Sequence, residues 1–171
     1  FLKDHKDYAS VEVTPHHLTL AAPECYERLG TYVQMNPPVR DERHRKAIWA
    51  ALTDGVVDVL GSDHAPHTHD EKASATPPPG VPGLETTLPL LCNAVQATRL
   101  TWEQVIALTA TNPRRIFNLA EPPESFVEVE FGTLHTLPET GWQTRCGWSP
   151  FAGETVAGRV HRTVLRGETV Y

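Results

Sequence analysis

Apolar positions along this chain change their spacing twice, and each change marks a different kind of structure. Val56-Val57-Asp58-Val59-Leu60 is a short β-branched run with no polar face, the pattern of a strand buried on both sides. Ser10-Val11-Glu12-Val13 predicts another strand, which Thr14-Pro15 stops, since proline lacks an amide proton and biases its predecessor away from helix. Between the two, Ile48, Trp49, Ala51 and Leu52 form a stripe at helical spacing. Asp41 can cap that helix, Glu42 complements the dipole in its first turn and Gly55 ends it. Strand, helix and strand together predict a parallel β-α-β unit. Residues 1–8 read as the tail of a helix, and 18–32, interrupted by Ala21-Ala22-Pro23 and Gly30, as a loop with one helical turn.

Helical spacing returns further on. Leu84, Leu88, Leu91 and Val95 share a face of a helix predicted over 85–98, with Pro89 near enough to its start to be tolerated. Thr101-Trp102-Glu103-Gln104 is a capping box for a helix running to Thr111. Asn112-Pro113 suits the cap and first position of another short helix, ending at Leu119. After Ala120-Glu121-Pro122-Pro123 the period becomes two: Phe126–Phe131 alternates, and Val160–Leu165 and Glu168–Tyr171 are further strands joined at Arg166-Gly167. The pattern therefore separates 1–119, mixed α/β, from 120–171, all β.

Composition narrows the function classes. The 171 residues, 40% hydrophobic and 21% charged, allow one core with a small appendage. A formal charge of −6 argues against nucleic acid or an anionic membrane as the main partner, and no apolar run approaches the ~20 residues of a membrane span. Cys25, Cys92 and Cys146, odd in number and widely spaced, suit buried thiols in a reducing cytosol.

The chemistry concentrates in Gly61-Ser62-Asp63-His64-Ala65-Pro66-His67-Thr68-His69-Asp70-Glu71-Lys72. A strand whose C-terminal end delivers Asp and His into a loop is how a (β/α)8 barrel presents catalytic groups; the competing reading is a polar loop with Asp63 capping a turn. Gln34-Met35-Asn36-Pro37-Pro38-Val39-Arg40 is stiffened by its prolines, so it either holds Asn36 at a defined place or uses it as a turn former. Arg40 is expected to pair with an acid. His16 and His17 are adjacent, point to opposite faces of an extended segment and suit structural or loop-orienting roles. Pro77-Pro78-Pro79-Gly80-Val81-Pro82-Gly83 predicts a rigid loop that walls or covers a site. Arg114 and Arg115 suit structural ion pairs.

The string from Asp63 to Lys72, the segment from Pro77 to Thr86, Thr14-Pro15-His16-His17 and Met35-Asn36-Pro37-Pro38-Val39-Arg40 together resemble the signature of dihydroorotase, in the amidohydrolase superfamily. The resemblance covers nearly all of this chain and about the last two fifths of a family member. It implies an α/β fold: the C-terminal part of a (β/α)8 TIM-type barrel over 1–119, then the C-terminal share of a small β-sandwich over 120–171. A whole barrel needs about 250 residues and the chain opens Phe1-Leu2-Lys3-Asp4 without an initiator Met, so a C-terminal portion of a longer enzyme, inactive alone, is expected.

The resemblance also implies one or two zinc ions, most of whose ligands lie outside this chain. Asp63 matches a metal ligand that is also the general base and acid, Asn36 and His67 match substrate contacts, and Pro82 and Gly83 fall where the family makes main-chain contacts. His67-Thr68-His69 has the His-x-His spacing but lies after the last barrel strand. The implied reaction interconverts N-carbamoyl-L-aspartate and L-dihydroorotate in cytoplasmic pyrimidine (UMP) biosynthesis, with a second copy of the chain or aspartate carbamoyltransferase as protein partner. Dihydropyrimidinase, allantoinase and a non-catalytic dihydroorotase-like subunit are the alternatives.

Overall fold

In the computed structural model, which describes residues 1–171, β1 (Glu12–Val13) lies parallel to β2 (Val59–Leu60), with Glu12 opposite Val59 and Val13 opposite Leu60. The apolar run 56–60 pairs only at its end because Asp58 holds the start another way. Its carboxylate accepts the Val11 amide at 2.7 Å and the Lys6 ammonium. Burial would raise its pKa, but these donors outweigh it and keep Asp58 below the usual carboxylate range.

Three helices make the crossover from β1 to β2. The first, α1 (Pro15–Thr19), arises where the sequence suggested only a strand end: Thr14 caps it by accepting the His17 amide, and Pro15 occupies the first position, where its missing amide costs nothing. Next, α2 (Glu24–Leu29) and a 3-10 turn (Gly30–Val33) fill more of 18–32 than one turn. The expected central helix is α3 (Glu42–Thr53), capped by Asp41 on the His44 amide. Arg40 makes no ion pair; its carbonyl instead accepts the Ala22 amide at 2.9 Å. Residues 1–8 hold a 3-10 turn, Leu2–Asp4, and a turn closed by the Tyr8 amide on the His5 carbonyl, in place of the expected helix tail.

After β2 comes α4 (His69–Lys72), with a complete Thr68/Glu71 capping box, and then α5 (Leu84–Gln96). Pro89 lies inside α5 rather than near its start, and the helix continues through it. Next, α6 (Trp102–Ile106), with the expected Thr101/Gln104 box, runs through one π turn into α7 (Asn112–Ile116). Asn112 is not the cap anticipated from the Asn-Pro pair. Its backbone is helical, and its side-chain amide donates to the Asp58 carbonyl at 2.8 Å, tying this helix to β2. Arg114 pairs with Glu121 at 3.0 Å, as a structural role predicts.

The C-terminal region is an antiparallel sheet in the order β3 (Phe126–Thr136), β4 (Thr155–Leu165), β5 (Glu168–Thr169). Both long strands exceed the alternating runs that announce them, and their pairing shifts register twice: at Glu128/Val129 the extra residue is His161 on β4, and between Phe131 and His135 the excess is on β3. Helix α5 packs on β4, where Asn93 donates to the Thr155 carbonyl and accepts the Ala157 amide. Gly158 permits that approach, since a Cβ there would stand 2.8 Å from Cys92 Sγ and 2.5 Å from the Glu130 carbonyl.

Two cores result. One, around Val13, Leu52, Leu60, Leu91 and Val105, lies beneath the parallel pair. The other gathers Val33, Met35, Val81, Trp148, Phe151 and Val156 from widely separated parts of the chain, beneath the loops that follow β2. The three cysteines are free and buried, and burial pushes the Cys92 thiol up to about 11. No helix is long and apolar enough to cross a membrane.

Candidate functional site

The loop after β2 begins at Gly61, against which the Glu12 carboxylate of the neighbouring strand packs, and turns at Asp63, whose φ is +46°. A left-handed conformation is unfavourable for a non-glycine residue and persists where the surroundings impose it, often at functional positions. It leaves the Asp63 side chain 44% exposed. Asp63 opens on a cavity of about 640 Å³ shared with Asn36, Thr14, His17, Pro37 and Arg40.

Behind Asp63 stands His16, only 1% exposed. Burial, with a smaller contribution from His17, pushes its pKa down to about 3, so the ring is neutral. Its Nε2 has no hydrogen-bond partner and lies 3.6 Å from Asp63 Oδ2. His17 has the loop-orienting role expected of it. Nδ1 pairs with Thr14 Oγ1 at 2.7 Å and Nε2 with the Pro37 carbonyl at 3.0 Å, joining the end of β1 to the loop that carries Asn36.

His64 faces the other way. Its Nδ1 accepts the Gly83 amide at 3.1 Å and the Leu84 amide at 3.3 Å, satisfying donors at the start of α5 that no side-chain cap reaches. A ring nitrogen that accepts is unprotonated, which places the proton of neutral His64 on Nε2.

The proline-rich loop lies directly against the motif. Ala65 donates to the Val81 carbonyl at 3.0 Å, and His64 and Val81 form a parallel bridge. Val81, Pro82 and Gly83 are all buried in this contact. The Gly83 amide is engaged by His64 and its carbonyl by the Thr86 and Thr87 hydroxyls, whereas the Pro82 carbonyl accepts none of the hydrogen bonds in this region. His67 approaches Glu71, Nδ1 to Oε2 at 3.8 Å. The Thr68 amide and hydroxyl hold Glu71 below the usual carboxylate range, and His67 adds to this.

The structure therefore brings Asp63 and Asn36 to one cavity, while His67, Pro82 and Gly83 stand on the adjoining loop wall, outside its lining. Two supports of that wall carried no local signal in the sequence. Trp148 Nε1 donates to the His67 carbonyl at 2.7 Å across 81 positions. Glu85, in the first turn of α5, accepts the Gln143 and Thr144 amides and the Thr144 hydroxyl. Burial alone would raise the Glu85 pKa, but these donors more than offset it and hold it below its ordinary value. A depressed carboxylate stabilises the folded state above its unfolded pKa, and the contribution is lost as pH falls through the folded one. Acidification below about 4.5 is therefore expected to free the segment 143–148 from α5. Trp148 fluorescence should shift over that range, and the acid-dependent part of the shift should be absent in Glu85→Gln.

Toward a metal ion the chain offers little by itself: no three His, Cys, Asp or Glu side chains gather in a cluster that could hold one. Zinc needs three or four protein ligands. The exposed Asp63 carboxylate beside an unpartnered imidazole fits one ligand position.

No family model matches the chain. Curated proteins do: it is 44% identical to the multifunctional protein pyr1-3 of Dictyostelium discoideum over 95% of this chain and 7% of that protein. It is 39% identical to a dihydroorotase of Halobacterium salinarum over 95% of this chain and 40% of the relative. Among solved structures, an L-hydantoinase (dihydropyrimidinase) from Arthrobacter aurescens superposes with a TM-score of 0.87 at 26% identity, over 98% of this chain and 40% of that one. The chain thus spans about two fifths of the dihydroorotase and hydantoinase it matches and a small part of the multifunctional protein. Alignment along nearly its whole length, in sequence and in fold, makes the chain a relative of the dihydroorotases, with the mixed α/β architecture of the amidohydrolase fold.

Proposed function

We propose that this sequence belongs to a dihydroorotase, a zinc-dependent cyclic amide hydrolase that closes N-carbamoyl-L-aspartate to L-dihydroorotate with loss of water, and reopens it, in cytoplasmic pyrimidine biosynthesis. The observation that carries the reading is the conjunction at the end of β2: a carboxylate held in a left-handed turn and opening on a cavity that also presents Asn36. Identity to curated dihydroorotases supports the substrate class. On this reading 1–119 is the C-terminal part of a (β/α)8 barrel and 120–171 the C-terminal share of a β-sandwich. Similarity to the multifunctional proteins supports association with other pyrimidine enzymes, and the partner this reading assigns is aspartate carbamoyltransferase or a second copy of the chain.

Asp63 supplies one metal ligand, and the others come from residues beyond this sequence. When bound, zinc supplies Lewis acidity and a lowered water pKa. In the hydrolytic direction the Asp63 carboxylate takes the proton of the attacking water and returns it to the ring nitrogen as the C–N bond breaks. His16, neutral and 3.6 Å behind it, does not compete for that proton. Asn36 and His67 hold the substrate's polar groups, and the Pro82 carbonyl, unengaged within the loop, accepts from its ring amide.

The test is turnover by the protein expressed from its complete gene, in both directions, with dihydrouracil and hydantoin as competitors. Turnover of the competitors without L-dihydroorotate would replace this reading with a hydantoinase-type one. Within it, His67→Ala and Asn36→Ala are expected to raise KM at least about tenfold with a smaller loss in kcat, the signature of lost substrate binding. A kcat loss at unchanged KM would move either residue into the chemical step.

A further inference from the structure

Lys72 is fully buried, yet no acid neutralises it. Core packing does not account for it, because a methionine would fill the same space without the penalty of an ammonium removed from water. The ammonium has three protons to donate, and three main-chain carbonyls receive them: Pro78 and Gly80 at 3.0 Å and Gln34 at 3.2 Å. The acceptors come from two loops 44 positions apart at their nearest, one stiffened by Pro37-Pro38 and the other by Pro77-Pro78-Pro79. The Gly80 amide joins those loops directly by donating to the Gln34 carbonyl at 2.9 Å, and Thr31 Oγ1 donates to the Lys72 carbonyl at 2.8 Å.

Each partner leads to an edge of the candidate site. Asn36 lies two residues past Gln34, Pro82 two past Gly80, and Lys72 itself ends α4, whose cap Thr68 follows His67. We propose that Lys72 is a positioning residue: its ammonium fixes the Asn36 loop, the proline-rich wall and the His67 helix relative to one another, so that their substrate-facing groups form one surface. The lysine touches none of the reacting atoms. Three convergent acceptors suit an ammonium rather than a planar guanidinium, so arginine is a poor substitute. The functional half of the inference rests on the substrate contacts proposed above, whereas the joint itself does not.

The test uses the protein from its complete gene. In Lys72→Met, amide exchange at Gly80 and Ala65, which report the two seams between the loops, is expected to rise about tenfold or more while Leu90 and Leu91 in α5 keep their protection. KM for L-dihydroorotate should rise about tenfold or more, with kcat within about threefold, and Lys72→Arg should not rescue it. Unchanged exchange at both amides overturns the joint; changed exchange with unchanged KM overturns its role in positioning substrate contacts. If the parent turns over no dihydroorotate, the dihydroorotase reading fails separately and the exchange arm still decides the joint. If Lys72→Met does not fold, amine acylation of the unaltered protein decides instead. Lys72 should react far later than Lys3, Lys6 and Lys46, in step with loss of protection at Gly80. Reaction as fast as Lys46 while Gly80 stays protected would overturn the proposal.

Discussion

Asp63→Asn is expected to lower kcat by about 10²–10⁴ in both directions. The substitution keeps the size and polarity of the side chain, and asparagine is among the residues that best tolerate the left-handed turn at φ +46°, so the fold should not suffer. It removes the carboxylate that the turn after β2 presents to the cavity shared with Asn36. The amide cannot take a proton from water, and the buried His16 imidazole, 3.6 Å away, then faces a neutral group in place of the carboxylate. Steady-state kinetics must be paired with metal analysis, because loss of zinc would also abolish turnover. A metal-replete Asp63→Asn enzyme with near-normal kcat would remove Asp63 from the proton transfer and leave it a ligand only.

Gly80→Ala is expected to destabilise the protein by about 2–5 kcal/mol, combining backbone strain with overpacking. Gly80 has φ +137°, a region in which side chains are strongly disfavoured, and its Cβ would stand 2.6 Å from the Ala65 carbonyl oxygen and 2.7 Å from the Ala65 Cβ. Neither neighbour is a flexible side-chain end that could swing aside. The wall would have to lift from the motif, breaking the Ala65–Val81 hydrogen bond and moving the carbonyls that hold Lys72. Gly55→Ala is the control: φ is +72° with nothing within 4 Å of the added methyl, so only conformational strain of about 1 kcal/mol applies. Urea unfolding of both variants measures the difference. Equal losses would mean that the close approach of wall and motif contributes nothing.

The two experiments probe different layers. Asp63 tests what the site does, and Gly80 tests what keeps it assembled. Trp148 belongs with Gly80, since it reaches the His67 carbonyl from a segment that lies between the strands of the C-terminal sheet. The sheet region is therefore part of what shapes the site, although none of its side chains lines the cavity beside Asp63.

What the sequence determined by itself was local. Asp41 before an amphipathic stripe, the Thr101/Gln104 box and the β-branched run before Gly61 specify caps, faces and strand ends through interactions spanning a few residues, and each is present. The Asp63 motif and the proline-rich segment carried the dihydroorotase resemblance for the same reason, since their chemistry is contiguous. The Thr68/Glu71 box was equally local and marks α4, a helix the reading of the motif as loop passed over. Tertiary structure alone decided the rest. Asn112 leaves its expected cap for the Asp58 carbonyl, 54 positions away. His64 caps a helix beginning 20 positions later, and Lys72 finds acceptors up to 38 positions distant. Strands β3 and β4 run past their alternating segments because each supplies the other's backbone partners. A polar side chain's role depends on which donor or acceptor the folded chain brings to it, and periodicity in one segment holds no information about a partner in another.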